Sequence, residues 1–214
     1  MNELDQAVLL CGLPKHGKTT EARRLAKAHL ERYPTGYVLV HDRHAQFSPD
    51  ITRAFKDTAE WRAELAAAAA EKKPFPRGAS FRCSATEISK LAIELGEKHN
   101  NAKHVRVPMM VIYDESSLMD SSGPTHMDAL DVDLFSNRRH YGIAPVYNVQ
   151  RPGALMEAFF TQSTEVYIFS QPSEKWTHTL EERLGLRGGE LDFLVGGPKF
   201  RYVLWRQGEG LVTS

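Results

Sequence analysis

The feature that most constrains this chain is a glycine-bounded segment near the amino terminus, residues 12–19, with the sequence GLPKHGKT. It matches the pattern G-x-x-x-x-G-K-[ST] at every fixed position. An apolar run at 7–11 precedes it, and a helical pattern at 20–32 follows it. Glycines let the backbone wrap around a phosphate with N–H groups directed at its oxygens, and the helix dipole adds positive potential. The segment therefore predicts a nucleoside triphosphate site, the alternative being a glycine-rich turn that matches by chance.

Two residues of this segment have specific expected roles. Lys18 is expected to reach the β- and γ-phosphates, and the Thr19 hydroxyl to take one position on a magnesium ion. Thr20 lies just outside the fixed pattern. The motif alone does not separate kinases, GTPases and motors. The candidate nucleotide-binding residues are Gly12, Leu13, Pro14, Lys15, His16, Gly17, Lys18, Thr19 and Thr20.

Composition limits the possible partners and compartment. Lys and Arg number 27 and so do Asp and Glu, so the chain has no global positive field and any contact with a polyanion must be local. Cys11 and Cys83 lie in apolar segments and are expected to be buried thiols in a reducing compartment. No basic start with an apolar core resembles a signal peptide, and no apolar run approaches the ~18 residues of a membrane span. We expect a soluble protein, intracellular or enclosed in a particle assembled inside a cell.

Apolar runs alternate with helical patterns, which is typical of a parallel sheet with helices on its faces. We expect an α/β fold of the P-loop NTPase type, with a mostly parallel central sheet flanked by helices. Residues 1–214 are expected to form a single P-loop ATPase domain, with 186–214 as an added strand or hairpin. The polar segment 98–106 is expected to be a solvated loop or a contact with a phosphate backbone. Later strands are expected at 36–40, 80–83, 108–113, 143–149, 165–169 and 200–205, and helices at 20–32, 51–71, 86–99 with Thr86 as cap, 125–137 and 173–184.

The strand expected at 108–113 runs directly into Asp114 and Glu115, the Walker B arrangement of an apolar strand followed by carboxylates. We expect this strand to lie beside the first one, with its end facing the phosphates. Asp114 is expected to hold magnesium through a water, and Glu115 to orient or deprotonate the water that attacks the γ-phosphate. Because a kinase transfers to a bound hydroxyl and needs no such glutamate, the pair favours hydrolysis. Acidic pairs also occur at strand ends without this role, so the interpretation depends on the upstream loop.

Polar residues flank the next strand, 143–149. Gln150 follows it and is suited to sense the γ-phosphate and share the attacking water. Arg138 and Arg139 precede it, and either can stabilise transition-state charge in its own or a neighbouring subunit. The alternative for these arginines is a helix carboxyl terminus whose basic residues complement the dipole. Arg151 is a further candidate for this arginine finger.

Four features together resemble the FtsK/HerA superfamily of ring-forming ATPases, and within it the viral genome-packaging ATPases of the tectivirus and poxvirus type. They are the loop at 12–19, the strand ending in Asp42 with Phe47 and Ser48 nearby, the pair Asp114-Glu115, and the segment 139–143 (RHYGI) leading to 150–152 (QRP). Their order covers most of the chain from residue 7 to about 170. The four residues between the loop glycines, LPKH, differ from the small residues expected there. Within residues 1–214 we expect no counterpart of the membrane and DNA-reading domains of the large cellular translocases.

The resemblance implies roles for matched positions: Lys18 and Thr19 bind nucleotide and magnesium, Asp114 supports the metal, Glu115 activates water, Gln150 is the sensor and Arg139 the trans-acting arginine. It also implies a function, an ATP-hydrolysing motor that translocates double-stranded DNA into a viral capsid. The implied cofactors are ATP and Mg²⁺, and the implied partners are DNA of any sequence, further copies of the chain in a ring, and capsid or portal vertex proteins. The implied location is the host cytoplasm or the packaging vertex of the virion. The alternatives are a nucleotide-dependent assembly switch and a small-molecule or nucleotide kinase.

Overall fold

The computed structural model describes residues 6–42, 45–47, 49–101, 104–114, 129–152 and 157–212. Their strands are β1 Val8–Cys11, β2 Tyr37–His41, β3 Arg53–Phe55, β4 Gly78–Phe81, β5 Asn100–Asn101, β6 His104–Val105, β7 Met109–Tyr113, β8 Ile143–Val149, β9 Glu165–Phe169, β10 Tyr202–Arg206 and β11 Gly210–Val212. Their helices are α1 Lys18–Arg32, α2 Thr58–Ala70, α3 Ala85–His99, α4 Ala129–Tyr141, α5 Glu157–Gln162 and α6 Glu174–Leu184, with a 3-10 turn at Asp192–Leu194.

Nine of the strands form one sheet in the order β11-β10-β9-β1-β8-β7-β2-β4-β3. Every pairing from β9 to β3 is parallel, whereas β10 and β11 add an antiparallel hairpin at the β9 edge. This confirms the α/β fold with a mostly parallel central sheet. The expectation that the strand before Asp114 lies beside the first was wrong, because β8 is inserted between β1 and β7. The alternation of apolar runs and helices along a chain does not determine the order of strands in the sheet.

The sheet is covered on both faces, which explains why its central strands are largely apolar. Alternate residues of β1 pack into different clusters: Leu9 and Cys11 into one, Val8 and Leu10 into the other. Helix α1 packs on the second cluster and α3 on the first. These two helices contribute, among others, Ala22 and Ala26 from α1, and Ile88, Leu91 and Ala92 from α3.

Two helix starts differ from expectation because a capping side chain decides each of them. Residues 53–55 pair with β4 as an edge strand, and the helix expected from 51 begins only at Thr58, where the Asp57 carboxylate accepts a hydrogen bond from Glu60 N at 2.9 Å. For α3 the cap is Ser84 rather than Thr86, in a reciprocal capping box with Glu87. Helix α4 runs to Tyr141, four residues beyond the expected end, and residues 125–128 lie outside the described residues.

The described residues of the polar segment 98–106, which are 98–101 and 104–106, include regular structure where only a loop was expected. Helix α3 continues to His99, and the short antiparallel pair β5 and β6 follows. The Asn100 side chain accepts from Arg106 N and Val107 N and donates to Val107 O and Tyr141 O, so it ties the hairpin to the end of α4. Contact of this segment with a phosphate backbone stays a prediction.

Burial governs the chemistry of the two cysteines. Cys11 is buried in β1 and Cys83 is half-buried, and both are free thiols. Burial raises the pKa of Cys11 to about 12 and the pKa of Cys83 to about 11, which keeps both thiols protonated and unreactive at neutral pH. In the part of the chain that the structure describes, no helix is both long and apolar enough to span a bilayer.

Candidate nucleotide-binding cleft

The candidate residues follow the carboxyl-terminal ends of three neighbouring parallel strands. Cys11 pairs with Val149, and Tyr113 pairs with Tyr147, so β1, β8 and β7 end side by side. The residues that follow these strands are Gly12, Gln150 and Asp114. In open parallel sheets ligands bind at the carboxyl ends of the strands, which is where the predicted site lies.

Glycine is required at both ends of the phosphate-binding loop. Gly12 has φ +153°, and a Cβ built there would lie 2.7 Å from Phe169 Cβ. Gly17 has φ +109° and is the N-cap of α1. Side chains are therefore excluded at Gly12 by the close approach of β9 and disfavoured at Gly17 by its backbone conformation. A phosphate cradle needs this bare backbone, so the loop fits the nucleotide that the motif predicts.

Lys18 is held inside the loop. Its side chain is only 6% exposed, and Nζ donates to Gly12 O at 2.7 Å and to Leu13 O at 2.8 Å. The ammonium group is thereby preorganised at the amino terminus of α1, where the helix dipole and the loop N–H groups also favour an anion. Its position supports the predicted contact with phosphates.

Residues after β2 approach the same cleft. The Asp42 carboxylate accepts hydrogen bonds from Gln46 N at 2.8 Å and from Phe47 N at 2.9 Å, which holds these two residues near the end of the strand. Gln46 Oε1 accepts a bond from Thr19 Oγ1 at 3.5 Å, and Gln46 O accepts one from Arg23. The hydroxyl predicted to hold magnesium therefore lies beside an amide oxygen that the sequence analysis did not identify.

Asp114 is bonded to a side chain of β8. Asn148 Nδ2 donates to Asp114 Oδ1 at 2.5 Å, both residues are buried, and Asp114 N donates to His41 O of β2. Oxygen ligands of this kind suit Mg²⁺. Asn148 was also missed by the sequence analysis, although an amide within an otherwise apolar parallel strand is a signal that could have found it.

These groups line a cleft of about 400 Å³. Gln150, at the end of β8, lines it as the sensor prediction requires. Glu115 lies outside the described residues. The lining residues are Pro14, Lys15, Gly17, Lys18, Thr19, Thr20, Gln46, Asp114, Asn148, Gln150 and Phe200.

His16 and Leu13 belong to the loop without lining this cleft. His16 O accepts a bond from Phe200 N at 3.1 Å, and Leu13 N donates to Ser170 O at 3.0 Å. Burial, with the positive charges of Lys18 and Lys199, lowers the pKa of His16, so its imidazole is neutral at pH 7. Both residues tie the loop to the carboxyl-terminal third of the chain, and their direct contact with nucleotide stays a prediction.

The arginine candidates lie in different environments. Arg138 is 6% exposed, and its Nη1 donates to Gln162 Oε1 of α5 at 3.3 Å, a packing position. Arg139 is exposed near the end of α4, and its carbonyl accepts a bond from Gly142 N just before β8 begins. Arg151 is exposed and follows Gln150. Arg139 precedes β8, whose seven residues span about 20 Å, and so lies at the opposite end of that strand from Gln150. Its action in a neighbouring subunit stays a prediction.

No protein-family model and no curated protein matches the chain, but solved structures do. The genome packaging NTPase B204 from Sulfolobus turreted icosahedral virus 2, in complex with AMP, is 12% identical, with a TM-score of 0.72 over 100% of this chain and 98% of that chain. EccC (ATPases 2 and 3) from Thermomonospora curvata is 13% identical, with a TM-score of 0.59 over 98% of this chain and 36% of that chain. The pCW3 conjugation coupling protein TcpA with ATPγS is 15% identical, with a TM-score of 0.61 over 98% and 60%.

The chain thus has the fold of the P-loop NTPases. Its structural neighbours include a viral packaging NTPase and further ATPases, which confirms at the level of the fold the resemblance drawn from the sequence motifs. At 12–15% identity the likeness concerns the fold, and the roles of individual residues rest on the geometry of the cleft.

Proposed function

We propose that the chain is an ATP-hydrolysing motor that moves double-stranded DNA into a viral capsid. The observation that carries the proposal is the cleft, where Lys18, Thr19, Asp114 and Gln150 converge from the loop and two strand ends. The match to a genome packaging NTPase over the full length of the chain supports the same class.

In the proposed reaction Lys18 neutralises charge on the β- and γ-phosphates. Thr19, and Asp114 through a water, would hold Mg²⁺, which would supply Lewis-acid stabilisation of the phosphate oxygens. Glu115 accepts a proton from water while the water oxygen forms a bond to the γ-phosphorus. The bond from that phosphorus to the β–γ bridging oxygen breaks, and ADP and inorganic phosphate result. Gln150 orients the water from the end of β8.

The proposal includes a homo-oligomeric ring, and the placement of Arg139 supports it. Its exposed side chain lies near the amino-terminal end of β8, whereas the cleft lies at the carboxyl-terminal end of that strand. In this proposal Arg139 therefore reaches a γ-phosphate only in a neighbouring subunit. In a ring, each subunit contributes a few basic residues, and together they provide enough positive charge to bind DNA. A net charge of zero per chain is therefore compatible with DNA binding. Contacts to phosphates without base readout would grip any sequence. In this proposal the motor docks on capsid or portal vertex proteins, in the host cytoplasm or at the packaging vertex of the virion.

The decisive experiment is steady-state ATP hydrolysis at low salt, with and without long double-stranded DNA, using Glu115→Gln as the blank. Stimulation by DNA that disappears in the variant is the expected result. Hydrolysis that ignores DNA of any length would contradict the motor and favour a nucleotide-dependent assembly switch. Phosphoryl transfer to an added hydroxyl acceptor, in place of hydrolysis, would instead favour a small-molecule or nucleotide kinase.

A further inference from the structure

An exposed aromatic ring lies beside the phosphate-binding loop. Phe200 is 65% exposed and lines the cleft. A Cβ built at Gly17 would lie 3.1 Å from Phe200 Cδ1, so the ring edge is close to the first turn of α1. Leaving a phenyl ring in water is unfavourable, and Phe200 contributes to neither of the two hydrophobic clusters.

The backbone holds this ring in place. Phe200 N donates to His16 O at 3.1 Å, and Phe200 has φ +62°, a left-handed conformation that is rare for an aromatic residue. The preceding segment is anchored to the end of β9, because Gln171 N donates to Leu194 O and Gly196 N donates to Gln171 O. A residue held in a sparsely populated backbone conformation beside a ligand site indicates a functional role for that residue.

The order of strands in the sheet shows which groups lie on each side of the phosphate-binding loop. Asp114 and Asn148 lie on the β7 and β8 side of the phosphate-binding loop, whereas Phe200 lies two residues before β10, whose first residue pairs with the end of β9. A nucleotide whose phosphates meet Lys18 and whose metal meets Asp114 therefore directs its base toward Phe200. We propose that Phe200 is the stacking platform for the base of the bound purine nucleotide. This inference rests on the proposed nucleotide site and assigns its base-binding end.

Stacking on an aromatic ring has a specific consequence. It depends on the π-face of the base and not on the phosphates, and it tolerates any purine. Replacing Phe200 by leucine keeps an apolar side chain of similar size but removes the aromatic face. We expect Phe200→Leu to weaken binding of non-hydrolysable ATP and GTP analogues about 10-fold or more, and to leave binding of inorganic tripolyphosphate unchanged.

The test is calorimetric titration of the full chain with AMPPNP, GMPPNP and tripolyphosphate. Phe200→Trp should retain nucleotide binding, since it keeps a stacking face. Phe193→Ala is the matched control: Phe193 is 63% exposed on the same carboxyl-terminal segment but is not among the described residues that line the cleft. A thermal melt of each variant checks its folding.

The outcomes separate the two proposals. Loss of nucleotide binding in Phe200→Leu, with tripolyphosphate binding and both control variants intact, supports the stacking role. Equal binding of AMPPNP by Phe200→Leu and the wild type overturns it, as does an equal loss for AMPPNP and tripolyphosphate. A wild-type chain that binds neither ligand overturns the proposed function itself.

Discussion

Asn148 Nδ2 donates a hydrogen bond to Asp114 Oδ1 across 2.5 Å, linking the ends of two adjacent parallel strands inside the protein. The amide holds the carboxylate in one orientation. Residues that orient a metal ligand in this way tune the affinity of the site without touching the metal. Asn148 is thus a positioning residue for the predicted magnesium site.

Replacing Asn148 by alanine should raise the Mg²⁺ concentration for half-maximal ATP hydrolysis about 10- to 100-fold. Nucleotide binding without magnesium should change little, because the phosphate-binding loop is intact. Activity as a function of Mg²⁺, together with nucleotide titration in a chelator, measures both quantities. Asn137→Ala, on the exposed surface of α4, is the control. An unchanged magnesium dependence in Asn148→Ala would remove the positioning role.

Lys18→Ala should abolish nucleotide binding at micromolar concentrations. The ammonium forms charge-assisted bonds worth about 1.5–3 kcal/mol each, so losing its phosphate contacts weakens affinity roughly 100-fold. Titration with AMPPNP measures the effect, and Lys27→Ala, which changes an exposed lysine of the same helix, provides the comparison. Near-normal affinity in Lys18→Ala would contradict the assignment of the phosphate site.

Arg139→Ala should abolish hydrolysis while the subunit keeps its nucleotide affinity and its stability. Its side chain is exposed and is predicted to act on a neighbour, so mixing Arg139→Ala subunits with Lys18→Ala subunits should restore activity at their shared interfaces. Arg138→Ala, in contrast, should lower the melting temperature, because it removes a buried partner of Gln162. ATPase assays across mixing ratios decide the matter: no recovery in any mixture would argue against a trans-acting Arg139.

The burial of His29 predicts that the folded protein loses stability in mild acid. Its side chain is buried in α1 beside Pro108 O, and burial lowers its pKa to about 4 from an ordinary value near 6.5. Between these values the unfolded chain binds more protons than the folded one, so the free energy of unfolding falls as the pH is lowered. The contribution of His29 amounts to about 2 kcal/mol by pH 5.

Urea unfolding at pH 7.5 and pH 5 measures this loss for wild type, His29→Gln and His178→Gln. The difference between the two pH values should shrink in His29→Gln. It should persist in His178→Gln, whose side chain is 64% exposed. The same pH dependence in all three proteins would show that other groups cause the acid sensitivity.

The phosphate-binding loop was predictable because its physics is local. Gly12, Gly17, Lys18 and Thr19 lie within eight consecutive residues between β1 and α1, so their pattern is recognisable in the sequence, although β9 also excludes a side chain at Gly12. The strands at 37–41, 109–113, 143–149 and 165–169 were likewise predicted closely, since strands buried on both faces are continuously apolar. Helix starts were less predictable, because they depend on hydrogen bonds that the side chains of Asp57 and Ser84 accept from backbone N–H groups. A pattern of apolar residues does not reveal these bonds.

The sequence by itself determined the class of fold and the chemistry of the loop, because each depends on neighbouring residues. Tertiary structure alone decided that β8 separates β1 from β7, which brings Asn148 to Asp114, and that Phe200 lies against Gly17. These relationships join residues far apart in the chain, and they arise from how strands and loops pack once the sheet has formed. Apolar periodicity does not reveal which distant residues meet, although the amide of Asn148 in an apolar strand marks that position as unusual.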